Sequence, residues 1–211
     1  MLLLRSRIIL LSLATGLLLS LGWPERGIPL LLFSAMVPML WMEEQVFRNP
    51  GKHIRFSVLF LSYPGFLLWN LLTTWWIVNS TFVGALLATV LNALFMSIVF
   101  QAFHWTRKKL RNDLAAYLNW PWLNLGNGFA TWYKFVQWYE YTGALGGTVW
   151  ILVGNVGVLQ IIKQGNRQLA TGNRQKAKNG FAGMLPASRF LVRYSIFLFA
   201  WIAIPIAFSL L

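Results

Sequence analysis

NWPWLNLGNGFATWYKFVQWYEYTGALGGTVWILVGN, residues 119–155, changes character twice. It opens on a turn, Trp120-Pro121-Trp122, and passes to the loop Gly126-Asn127-Gly128, where paired glycines mark a backbone that turns tightly. An aromatic segment follows from Trp132 to Tyr141, with Glu140 as its only acid. From Gly143 onward the residues are apolar and glycine-studded. Aromatic rings gathered just ahead of such a helix suit the membrane–water interface, where flat amphipathic side chains settle. Residues 119–143 therefore read as an interfacial or re-entrant loop, and residues 144–162 as a membrane span.

The rest of the chain agrees with a membrane setting. Of 211 residues, 57% are hydrophobic and only 11% charged, too few to coat a water-exposed globule. A net charge of +13 invites a nucleic-acid reading, but the placement of the charges excludes it. Sixteen of the 18 Lys and Arg fall at the N-terminus or in residues 48–55, 107–111 and 163–193. Basic clusters on alternate connections are the positive-inside pattern of a polytopic membrane protein. Cysteine is absent, so no disulfide, thiolate metal site or cysteine nucleophile is possible in these residues.

Six apolar segments result: about 4–22, 27–42, 57–79, 82–104, 144–162 and 190–211. The first resembles a signal peptide at its start, but it lacks an Ala-x-Ala site and is followed at once by a second apolar run. The two are expected to form a hairpin. Pro64 is expected to kink the third segment, since proline removes a backbone donor. The fold class is all-α, a polytopic integral membrane helical bundle. Residues 43–56, 107–111 and 163–189 are expected on the cytoplasmic side, the N-terminus with them and the C-terminus on the periplasmic side of a bacterial inner membrane.

That assignment carries a conflict. Two cytoplasmic basic connections need an even number of crossings between them, and between residues 111 and 163 only one good span is visible. Residues 113–143 contain no apolar run of the ~20 residues a helical crossing requires. Either residues 113–129 re-enter the membrane as broken structure sheltered by protein, or a span is missing near residues 112–119. The second is preferred.

Few residues are suited to chemistry. The five acids, Glu25, Glu43, Glu44, Asp113 and Glu140, are placed at the edges of spans or in connections. His53 falls in a connection and His104 at a helix end. This disfavours a proton-coupled transporter, which needs a buried relay. No metal-binding H-E-x-x-H, phosphate-cradling loop or Ser-His-Asp set is present, so neither a metal nor a cofactor is expected. Uncharged polar residues stand out instead. Asn70 and Thr74 lie four apart on the third segment beside Trp76; Asn92 lies in the fourth and Asn155 in the fifth. Such groups usually hydrogen-bond between helices. They could also rim a lipid headgroup. Gly143, Gly146, Gly147 and Asn155 read as helix-packing positions. The GNRQ echo at residues 165–168 and 172–175 carries no assigned function.

Several stretches together resemble the N-terminal membrane domain of bacterial apolipoprotein N-acyltransferases. They are Gly22-Trp23-Pro24 with Pro29-Leu30-Leu31-Leu32-Phe33, Val37-Pro38-Met39-Leu40, Trp69-Asn70 through Trp75-Trp76, Pro121-Trp122 through Gly128, and Gln137-Trp138-Tyr139-Glu140 through Asn155. The resemblance implies a part in lipoprotein maturation: an acyl chain moves from a phospholipid to the α-amine of a diacylglyceryl-cysteine. In the family a nitrilase-like domain with a Glu-Lys-Cys triad does the chemistry, through a thioester on the cysteine. Asn70, Thr74, Trp76, Pro121, Trp122, Gly126, Asn127, Trp138, Tyr139 and Glu140 are expected to face lipid or substrate. The implied partners are membrane phospholipids, diacylglyceryl lipoproteins, and a nitrilase-like domain or subunit. There are departures. The family has one more span between the counterparts of Arg111 and Trp120, and its nitrilase-like domain follows the helix that ends here at Leu211. The chain is therefore expected to be a truncated membrane portion, with no catalytic residue and inactive alone. Two other readings stand beside it: an anchor for a separately encoded nitrilase-like subunit, and a small lipid transporter.

Overall fold

A computed structural model describes residues 2–23, 27–48, 57–110, 124–179 and 188–210, and among them there is no strand. Five stretches are long and apolar enough to cross a membrane: Pro29–Arg48, Val58–Asn79, Phe82–Lys109, Tyr139–Arg167 and Leu191–Leu210. Ser6–Leu21 is apolar but shorter. The protein is an all-α, multi-pass membrane bundle.

Helix α1 (Leu2–Leu21) ends in a turn closed by Gly22 N–H on the Leu18 carbonyl and Ile28 N–H on the Leu21 carbonyl. A 3-10 turn, Pro29–Leu31, then leads into α2 (Leu32–Ala35) and α3 (Val37–Arg48), one span interrupted at Met36. The cause of the interruption is visible. Pro38 has no N–H to offer the Ser34 carbonyl. The Met36 N–H is taken by the Asn155 side chain at 2.8 Å instead of by Leu32. The Asn155 amide in turn donates to the Leu32 carbonyl at 2.7 Å. One carboxamide thus replaces a bond of the helical ladder and supplies both of its halves. A side chain inserted into the ladder is a recognised cause of a kink.

Helix α4 (Ser57–Thr74) carries Pro64 inside it. The Gly65 N–H beside the proline is satisfied by Ser12 Oγ of α1 at 3.0 Å. Here the two helices touch backbone to backbone: a Cβ on Gly16 would collide with the Gly65 carbonyl. Small residues allow this approach, and without water to drive helices together, close packing and such hydrogen bonds hold them. A 3-10 segment, Trp75–Asn79, turns the chain into α5 (Phe82–Leu110). Between α4 and α5, Asn92 donates to Asn70 Oδ1 at 2.5 Å. Nearer the other end, the Leu59 N–H donates to Gln101 Oε1 at 3.0 Å. A third 3-10 stretch, Leu125–Phe135, precedes α6 (Tyr139–Asn179) and α7 (Ser188–Leu210). Trp150 of α6 and Trp201 of α7 exchange indole N–H to carbonyl bonds, at 2.8 and 3.1 Å. Among the described residues, α7 packs mainly at this seam and on Leu125–Phe135, and none of the residues of its span is fully buried.

Helices α1, α4 and α5 pack as one group, and α6, α7 and the Leu125–Phe135 segment as another. The broken span α2–α3 lies between them and touches both. Two ends can be defined along α6. Ala144 packs against Gly126, and Lys163 meets Glu44. At 1.5 Å per residue these points are about 30 Å apart, one hydrocarbon thickness. The first is a glycine-rich end and the second a basic end. Arg107 also binds Glu43 and Glu44, so α5 finishes at the basic end. The next described residue, Asn124, lies at the glycine-rich end. The intervening residues, 111–123, lie outside the described residues, as does most of the expected re-entrant stretch. They number 13, fewer than the ~20 that a helical crossing takes.

Two boundaries differ from the hydropathy reading. Helix α3 runs to Arg48 rather than stopping near residue 42, and α5 runs to Leu110 rather than near 104. The charged ends stay helical because they pair with one another across the bundle. Glu43 lies near the basic end of its span, and it is completely buried there.

Candidate functional site

Expected site residues gather at the glycine-rich end, though not in one pocket. The Gly126 region is built by local rules. Asn124 Oδ1 accepts from Gly126 N–H at 3.1 Å, an Asx turn, and Asn127 N–H closes on the Asn124 carbonyl at 2.9 Å. Thr148 Oγ1 also accepts from Gly126 N–H, at 2.9 Å, while Tyr139 Oη donates to the Gly126 carbonyl at 3.2 Å. A Cβ at Gly126 would strike the Ala144 carbonyl, so no larger residue could lie so close to α6. Gly128 has the same relation to Leu32, which joins this loop to the α1–α2 turn. Phe129 is fully buried, its ring centroid 6.0 Å from Phe33 and 5.2 Å from Trp150.

The aromatic run then folds back on the start of α6. Trp138 packs edge-on against Tyr139 and Trp150, with centroids 4.8 and 5.5 Å apart. Gly143 makes the fold possible. Its φ of +65° is open to glycine and strained for other residues. A Cβ placed there would meet nothing within 4 Å, so Gly143 is a hinge and not a packing contact. Gly147 is the packing glycine, covered by the Tyr139 ring, and Gly146 sits under Thr142 and Trp138. Gly146 and Gly147 thus pack against the first turn of α6 and the adjoining Trp138, not against another span. Asn155 does join two spans, through the interrupted ladder of α2–α3.

Asn127 and Glu140 are exposed at this end, as is Trp76 across the bundle. Asn70 and Thr74 are buried: Asn70 donates to the Phe66 carbonyl at 2.8 Å and accepts from Asn92, and Thr74 donates to the Asn70 carbonyl at 2.6 Å. Their polar groups are spent within α4 and α5. Trp69 stands edge-on to Trp23, with centroids 5.4 Å apart, which places the Asn70 region beside the α1–α2 turn. Pro121 and Trp122 lie outside the described residues.

Sequence reading missed the ionic cluster at the basic end. Glu43 Oε1 lies 2.7 Å from His104 Nδ1, and its other oxygen accepts from Arg107. Glu44 accepts from the second arm of Arg107, from Lys163 at 2.7 Å and from Arg48 at 2.7 Å. Arg107 also lies over the Phe47 ring, 4.7 Å from its centroid. The available signal was Glu43-Glu44 at the end of one apolar run and His104 with Arg107, one turn apart, at the end of another: acids and bases on facing helix ends. Among the described residues, no group of three or more His, Asp or Glu is arranged to hold a metal ion.

These features define a polytopic helical membrane protein with a glycine-locked aromatic loop at one end and a charge-paired basic end. The sequence matches the apolipoprotein N-acyltransferase N-terminal domain family over residues 15–157, and the chain belongs to that family. A similar curated protein is the apolipoprotein N-acyltransferase of Chlorobaculum tepidum, 30% identical over 175 residues; the match covers 73% of this chain and 32% of that protein. The chain thus spans about a third of the length of that relative. No solved structure matches it.

Proposed function

We propose that this chain serves as the membrane-embedded portion of an apolipoprotein N-acyltransferase, holding phospholipid and lipoprotein where an acyl chain passes between them. The observation that carries the reading is the family match over residues 15–157, which includes the Gly126 loop and the start of α6. In support, that loop is rigidly seated at the end opposite the basic cluster, where Asn127, Glu140 and Trp76 are exposed. The positive-inside rule puts the basic end in the cytoplasm and the glycine-rich end in the periplasm of an inner membrane. The 211 residues hold no cysteine, so the thiolate of the family's triad comes from elsewhere: further chain, or a separate nitrilase-like subunit. Thirteen residues between the two ends also favour a span lacking from this stretch.

The test is co-expression, in cells depleted of their own N-acyltransferase, of this chain with a nitrilase-like unit, with mass spectrometry of a lipoprotein N-terminus. N-acylation with both present and none with either alone is expected. Acylation by the 211 residues alone would overturn the reading.

A further inference from the structure

At the basic end a cavity of about 320 Å³ opens between α3 and α6, walled by Trp41 and ringed by Glu44, Arg48, Lys163, Asn166 and Arg167. Among the described residues, three cations against one carboxylate give the ring a formal surplus of two positive charges. Glu44 cannot neutralise them. It already accepts from Arg48, Lys163 and Arg107, and the other arm of Arg107 is committed to Glu43. Arg48 and Arg167 are exposed at the rim, whereas the third cation is drawn in. Lys163 is only 12% exposed, held at the cavity by its bond to Glu44.

The depth of the cavity decides what fits. It lies where the spans Pro29–Arg48 and Tyr139–Arg167 end, at headgroup level. Trp41, half-buried, offers an amphipathic ring of the kind that settles at the interface. Arginine forks suit the paired oxygens of a phosphate ester, and basic pockets between membrane helices accept anionic headgroups. We infer that this cavity binds the phosphodiester headgroup of an anionic phospholipid in the leaflet at the basic end, a site separate from the glycine-rich end.

Equilibrium binding to the whole chain in neutral detergent, followed by native mass spectrometry, tests this with three probes: phosphatidylglycerol, phosphatidylcholine and inorganic phosphate. One phosphatidylglycerol should bind more tightly than phosphatidylcholine. The double variant Arg48→Gln, Arg167→Gln should weaken phosphatidylglycerol binding by roughly 30-fold, on the basis of the usual contribution of each basic residue near an anionic headgroup. It should leave phosphatidylcholine unchanged, with monodisperse elution as the folding control. Glu44→Gln, where it folds, should tighten binding, since the only acid among the described residues of the ring is removed. Equal affinity for the two lipids, or indifference to the double variant, would overturn the proposal. Weaker binding by Glu44→Gln would do the same. Occupation by inorganic phosphate with no lipid bound would overturn the lipid assignment.

Discussion

Asn155 shows how much one polar side chain can decide inside a membrane. Its carboxamide accepts from Met36 and donates to Leu32, so both halves of the displaced Leu32–Met36 ladder bond are met. Replacing it with leucine strands both in an apolar surrounding. Asn155→Leu should cost about 1–3 kcal/mol, read from the unfolding midpoint in detergent; an unchanged midpoint would mean the break is held by other contacts. Gly126 is constrained differently, by the Ala144 carbonyl where a methyl would go. Gly126→Ala should lift the loop from α6 and cost about 1–3 kcal/mol. Faster tryptic cleavage at the exposed Lys134 would report it. Both residues stand out in the sequence as polar or small positions within apolar surroundings. Their roles do not. Leu32 and Met36 lie more than a hundred residues from Asn155, and nothing in local pattern links them. Gly143 is a simpler case, since glycine spacing alone does not distinguish a packing position from a hinge.

The helices themselves were largely legible, because uninterrupted apolar runs of about 20 residues leave little choice of structure. Their ends were not. A hydropathy window closes at the first charges, near residue 42 on α3 and 104 on α5, yet both helices continue through them. The reason is tertiary: Glu43 and Glu44 find Arg107 more than sixty residues along the chain. Glu43 is fully buried, so removing Arg107 leaves one of its oxygens without a partner and only His104 on the other. Arg107→Met should cost about 3–5 kcal/mol, while the double change Glu43→Met, Arg107→Met should recover part of that loss, because neither charge is then stranded. Thermal unfolding of the two variants side by side decides it. At the α6–α7 seam, Trp201→Phe keeps a ring but removes the donor to the Trp150 carbonyl. A loss of about 1 kcal/mol is expected, with α7 the first helix to become protease-accessible.

The whole molecule is organised by its two ends. Charge counting along the sequence already demanded an even number of crossings between residues 111 and 163. In the bundle α5 ends beside Glu43 and Glu44, and Asn124 starts at the opposite end, with 13 residues to join them. Sequence and structure thus meet the same discrepancy by separate routes, one from charge and one from contacts. What sequence could not supply was the arrangement of helices: α2–α3 as the middle element follows from Asn155, Glu43 and Glu44 together, three long-range contacts. The cysteine-free chain makes the central claim directly accessible. Single cysteines are introduced at the exposed positions Asn127 and Lys109 and probed with a membrane-impermeant maleimide in sealed spheroplasts. Asn127→Cys should label in intact spheroplasts, and Lys109→Cys only after permeabilisation. Labelling of both from the same side would contradict the two-ended arrangement and the function built on it.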